Sequence, residues 1–197
     1  MKYFLIILAA VILVFLLVPG YFGLFYKIEI TEKNVGPFTI LFEKHRGDYK
    51  ETGAVMDRLY YSLLEEENIE CNKGFGIYYD NPAEVEKSQL RCIAGNILEG
   101  IDDAKIEELK QKYTIKTFPE TKAVYSEFPY KTNGKKGSGQ MFFIMALMRT
   151  YPALHKYLEA NKLDRAPVME IYDVPAQKIR YITAVNLDKK VFEDYLE

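Results

Sequence analysis

The stretch IYYDNP at 77–82, followed by LRCIAGNIL at 90–98, returns later in the chain as EIYDVP at 170–175 followed by IRYITAVNL at 179–187. Tyr79, Asp80 and Pro82 correspond to Tyr172, Asp173 and Pro175, and Arg91 corresponds to Arg180. Each copy is a run rich in β-branched and aromatic residues, a turn signalled by Asp, Asn or Pro, and a second such run, the pattern of two paired strands. A match this short can arise by chance, so the residues around it decide whether the chain repeats.

The surroundings repeat as well. FTILFEKH (38–45) reads as a strand, and in the helix after it Met56, Leu59, Tyr60, Leu63 and Leu64 recur at helical spacing. AVYSEFPY (123–130) reads as a strand, and QMFFIMALMRTYPALHKYLEANK (140–162) as the helix that follows it. Between the copies, GIDDAKIEELKQKY (100–113) is a short amphipathic helix with Asp102 or Asp103 as N-cap, and TIKTF (114–118) a strand. The expected fold class is α+β: two strand-helix-strand-strand units, at about 37–98 and 122–187, with a cleft between them of the kind that takes ligands.

Ahead of this lies an apolar segment. From position 3 to 26 no residue is charged, and as one helix those 24 positions would reach about 36 Å, against about 30 Å for a hydrocarbon layer. A cleaved signal peptide is the other reading, weakened by an n-region with one Lys and by the lack of a small-x-small cleavage pattern. The expectation is a retained single-pass transmembrane anchor at 1–26, entering the membrane through residues 3–26, and one domain at 27–197. The flanking charges slightly favour a cytosolic N-terminus.

Hydrophobic residues are 49% of the chain and charged residues 27%, the balance of a folded globule. The net charge of −2 comes from interspersed Lys and Glu, which leaves no broad basic surface and excludes direct nucleic-acid binding. Cys71, Cys92, His45 and His155 have none of the spacings of a structural zinc site, so no metal is expected, and no cofactor motif is present. The two cysteines are either one disulfide or two buried thiols. The loop at 131–136 is basic and Gly-rich but lacks the terminal Lys-Ser/Thr of a phosphate-binding loop.

Glu170 is the residue that asks for an explanation. It stands mid-strand among apolar neighbours, sharing a face with Val168 and Tyr172, while its counterpart in the first copy is Ile77. If buried, it suits either a cationic ligand or general-base chemistry toward water. If exposed, it is an edge residue, or one paired with Arg180 or Lys178. Candidate ligand-binding residues are Glu170, Tyr172, Tyr49 in the GDYKETG turn, and Phe142 and Met145 on the long apolar helix, with Glu170 catalytic in the enzyme reading.

Taken in order, GDYKETG, YYDNP, RCIAGNILEG, FPY, YPALHKYL and MEIYD behind an apolar N-terminus resemble the testis-expressed protein 264 family, endoplasmic-reticulum membrane proteins with a GyrI-like small-molecule-binding domain. The resemblance implies a duplicated unit of the SHS2 type and a ligand pocket in which a strand Glu, here Glu170, lies among aromatics. It also implies a domain facing the cytosol, a reticulophagy-receptor role with autophagy-machinery partners, and recruitment of an unfoldase. The wider superfamily contains hydrolases, so it implies a hydrolase alternative too, and a ligand-free scaffold is the third expectation. The family's aromatic-x-x-aliphatic tail motif has no match in VFEDYLE at 191–197.

Overall fold

A computed structural model describes residues 2–132 and 139–197 of the chain. Strands β1 (Ile30–Val35), β2 (Phe38–Arg46), β3 (Lys73–Tyr78), β4 (Arg91–Leu98), β5 (Ile115–Phe118), β6 (Thr121–Pro129), β7 (Val168–Asp173) and β8 (Lys178–Ala184) form one sheet. Their order is β1-β6-β8-β7-β3-β4-β2-β5, and every neighbouring pair is antiparallel. The helices are α1 (Lys2–Tyr21), α2 (Thr52–Glu67), α3 (Asp103–Leu109), α4 (Gln140–Ala160) and α5 (Lys189–Asp194). Asp102 caps α3, its side chain accepting from the Lys105 backbone N–H.

The order divides at β7–β3. On one side β2, α2, β3 and β4 form the first strand-helix-strand-strand unit, and on the other β6, α4, β7 and β8 form the second. The α2 helix buries Val55, Leu59 and Leu63 with Leu41, Ala94 and Leu98 of its own unit, and α4 buries Ala146, Leu154 and Leu158 with Val124, Phe128, Ile179 and Tyr181 of the other. Both helices lie on one face, over the outer strands, so the central pair β3–β7 runs beneath the gap between them. The opposite face holds Phe75, Ile77, Ile93, Met169, Ile171 and Ile182, closed over by Phe192 and Tyr195 at α5.

Three expectations change. Strand β1 went unpredicted because ITEKNV is an edge strand with Val35 alone buried, which leaves no two-residue hydrophobic period to read. Helix α5 was likewise unpredicted. The expected transmembrane helix is also not met: α1 stops at Tyr21 after Pro19, and residues 22–25 turn. The uncharged part of α1, positions 3–21, is therefore about 28 Å of helix instead of 36 Å. Among the described residues no helix is long and apolar enough to cross a membrane. The basic loop at 131–136 falls largely outside the described residues.

At Gly95 the neighbouring strand leaves no room for a side chain, since a Cβ there would stand 1.9 Å from the Leu41 carbonyl oxygen. Gly95→Ala should therefore lower stability by about 3 kcal/mol through overpacking. Gly53 in α2 has nothing within 4 Å of a built Cβ, so Gly53→Ala should raise stability by about 0.5–1 kcal/mol. Urea denaturation of both variants checks the pair.

Candidate functional site

The gap between α2 and α4 is filled from below by the central strands. Register sets Gly76 opposite Glu170 and Gly74 opposite Tyr172, so the first unit contributes a floor without side chains where the second contributes an acid and a phenol. Tyr78 lies over that floor, because a Cβ on Gly76 would come within 2.8 Å of its ring and hydroxyl. From α4 comes Tyr151, and from the start of α2 comes Thr52.

These groups form one hydrogen-bonded chain. Glu170 is 1% exposed, and each of its carboxylate oxygens accepts a phenol: Oε1 from Tyr151 at 2.6 Å and Oε2 from Tyr172 at 2.6 Å. The Tyr172 hydroxyl meets that of Tyr78 at 3.2 Å, and Tyr78 meets the Thr52 hydroxyl at 3.3 Å. Among the described residues no Lys, Arg or His forms an ion pair with Glu170. Burial pushes its carboxyl above the ordinary range, and the two phenols partly offset that shift by stabilising the charged form. Tyr151, Tyr172 and Tyr181 are all pushed well up, first by burial and then by the nearby Glu170 charge.

Of the sequence candidates, the structure brings Glu170 and Tyr172 together. Tyr49 stands one ring further out, edge-on to Tyr78 at 4.9 Å, its hydroxyl held by the Asp80 backbone. Phe142 instead packs on Tyr21 and Phe22 at the end of α1, whereas its neighbour Phe143 approaches Tyr172 at 6.2 Å. A helix apolar nearly all round carries no signal to choose between these two rings. Met145 is half-buried against the α4 core. Tyr78, Tyr151 and Tyr181 were missed because they come from three separate elements. The Tyr-Pro break inside α4 was the available hint for Tyr151.

The counterpart assigned to Glu170 needs correcting. Ile77 pairs with Met169 and points into the opposite face, so Glu170 shares its face with Gly76 instead. A one-residue offset in a short repeat is enough to exchange faces. The ion pairs expected for Glu170 are also taken elsewhere: Arg180 bonds Asp173 at 2.6 Å and Lys178 bonds Glu127, while Tyr181 lies across from Glu170. In the first unit Arg91 and Asp80 pair in the same way at 2.7 Å, so the repeated Asp and Arg serve both hairpins. Cys71 and Cys92 are free and buried, with burial pushing their thiols up to about 11 and about 12. Among the described residues no cluster of His, Cys, Asp or Glu could hold a metal ion.

Two strand-helix-strand-strand units sharing one antiparallel sheet, with a buried acid and tyrosines at their junction, define a duplicated α+β class of domain. A model of the GyrI-like small molecule binding domain matches residues 28–185, and the chain belongs to that family. Testis-expressed protein 264 of Homo sapiens is 32% identical over 170 residues, covering 82% of this chain and 50% of its own length. The Mus musculus homolog is 28% identical over 162 residues, covering 78% and 48%. The chain thus spans about half the length of these relatives. The crystal structure of the EcmrR C-terminal domain superposes with a TM-score of 0.51 at 10% identity, over 82% of this chain and 99% of that one, which shows a shared fold alone.

The raised Glu170 pKa fixes the sign of a pH effect. The native state holds the Glu170 proton more tightly than the unfolded chain, so from about 4.5 upward to the native value this group's contribution falls as pH rises. Below that window both states are protonated and the contribution is level. Glu170→Gln lacks this titration, so its stability relative to wild type should increase from pH 4 to pH 8, read by urea denaturation. Parallel profiles would contradict the burial argument.

Proposed function

We propose that this chain binds a small aromatic cation in the gap between α2 and α4, with Glu170 as the counter-charge. One observation carries the reading: a fully buried carboxylate whose partners among the described residues are two phenols and no cation. Burying an unpaired carboxylate costs several kcal/mol, and a positive group against it would relieve that cost. Rings of Tyr78, Tyr151, Tyr172 and Phe143 stand ready to face the delocalised charge of such a ligand. The family's description as a small-molecule-binding domain supports the same reading.

In the state described here Tyr151 and Tyr172 occupy both oxygens of the carboxylate that a cation would approach, so entry requires one of them to move. Tyr151 is the one on a helix, and Pro152 follows it inside α4. A proline there removes the backbone bond that would otherwise reach the Met148 carbonyl, so α4 is weakest where it covers Glu170. Both oxygens of Glu170 are engaged by phenols, which favours binding over a general-base role toward water.

Screening the full chain in detergent micelles against N-methylacridinium by thermal shift tests this. Binding to the native state should raise the melting temperature, by the equivalent of about 2.7 kcal/mol at a hundredfold excess over Kd. Glu170→Gln should weaken binding at least about tenfold, the loss of the opposite charge beside the cation. An unchanged shift in that variant, or none in wild type, would overturn the proposal.

We further propose that the N-terminal segment 3–26 tethers the chain to the endoplasmic-reticulum membrane with the domain facing the cytosol. Tyr3, Phe4, Ile6, Ile7, Leu17 and Val18 are exposed apolar side chains on α1, a surface that calls for cover. The full chain expressed in cells should stay in the pellet on alkaline carbonate extraction, and removal of residues 1–26 should move it to the supernatant.

A further inference from the structure

On the same side of the sheet as Glu170, four hydroxyls have no hydrogen-bond partner among the described residues although each is fully buried: Ser126 on β6, Thr150 on α4, and Tyr181 and Thr183 on β8. They lie in one tract. Ser126 is opposite Tyr181 and Tyr181 is opposite Glu170, so these three make a row across β6, β8 and β7 on the helix-covered face. Thr183 is two residues beyond Tyr181 and therefore on the same face. Thr150 stands in the buried column of α4 between Ala146 and Leu154, both of which pack on Val124, Phe128, Ile179 and Tyr181. Its neighbour Tyr151 meets the Tyr181 ring at 5.7 Å and bonds Glu170.

Native proteins leave few buried polar groups unserved, so four beneath one stretch of helix mark a place where something hydrogen-bonds. Adjacent strands lie about 4.8 Å apart, which sets Tyr181 roughly 5 Å and Ser126 roughly 10 Å from Glu170 along the row. A ligand whose cation sits at Glu170 and whose aromatic ring lies along the row would bring a substituent on its far end to these hydroxyls.

We propose that Ser126, Thr150, Tyr181 and Thr183 form a neutral polar subsite beside Glu170, selecting aromatic cations that carry a hydroxyl or carbonyl at the end away from the charge, and hydrated when no ligand is bound. The proposal rests on the reading of Glu170 as cation acceptor and goes beyond it in naming the second recognition element. It predicts discrimination between ligands of equal charge and ring size. A site built to hydrogen-bond a substituent penalises the analogue that lacks it, because its own groups are then left unpaired.

The probes are phenethyltrimethylammonium and its 4-hydroxy derivative, titrated calorimetrically into the full chain in detergent micelles. Wild type should bind the hydroxylated probe about tenfold more tightly, the worth of one good hydrogen bond. In Ser126→Ala/Thr150→Val the two affinities should come within about twofold, because the bond to the hydroxylated probe is lost and the penalty on the parent probe is lifted. Glu170→Gln should weaken both probes and leave their ratio intact. Equal affinities in wild type, or a preference that survives the double substitution, would overturn the subsite.

If neither probe binds wild type, the Glu170 reading fails and the selectivity for aromatic cations with it, while the hydrated polar character of the subsite is still decided by the melting temperature of Thr150→Val alone. A hydrated hydroxyl is lost at a cost, so a fall of about 2–4 °C upholds the hydrated polar tract by itself. A rise means that an unserved hydroxyl has been removed, and the subsite is overturned.

Discussion

Everything at the site depends on the antiparallel pairing of β3 with β7. Each unit ends in a strand with an open edge, and pairing those edges removes both and makes one eight-stranded sheet. Because α2 and α4 cover the outer strands of their own units, the joint is the part of that face left between helices. Whatever projects from β3 and β7 must fill the gap. The chain fills it with Gly74, Gly76 and Tyr78 from one side and Val168, Glu170 and Tyr172 from the other.

The asymmetry of that filling is what makes a structural joint a candidate site. Two glycines from the first unit give the Tyr78 ring a place to lie, and the second unit sets a carboxylate directly across from them. Burial raises the free energy of the charged form, and the phenols of Tyr151 and Tyr172 lower it, each by about 1.5–3 kcal/mol for a bond to a charged group. Tyr172 belongs to the sheet and Tyr151 to α4, so the electrostatic state of Glu170 is coupled to the seating of a helix that a proline already weakens.

Where the two units agree, the shared residues are structural. Asp80 with Arg91, and Asp173 with Arg180, tie their hairpins together, and the hydrophobic positions of α2 and α4 pack equivalent strands. Where the units differ, chemistry collects. Membership of the GyrI-like family fits this division, since a duplicated scaffold leaves the joint free to vary.

The hairpins, the two long helices, the Asp102 cap and the shared face of Glu170 and Tyr172 were legible in the sequence, because each is written in local periodicity and turn chemistry. The burial of Glu170 was not, since a strand Glu among apolar neighbours reads the same at an open edge as beneath a helix. Nor was the convergence of Tyr78, Tyr151 and Tyr181, which come from β3, α4 and β8 and meet only when the sheet closes. Register is the sharpest case: the repeat aligned Glu170 with Ile77, and pairing across the joint moved it by one residue onto the face of Gly76. Sequence by itself determined the units and the residue types at their ends. Tertiary structure decided which of those residues face one another, because strand periodicity fixes two faces but only inter-strand hydrogen bonding chooses between them.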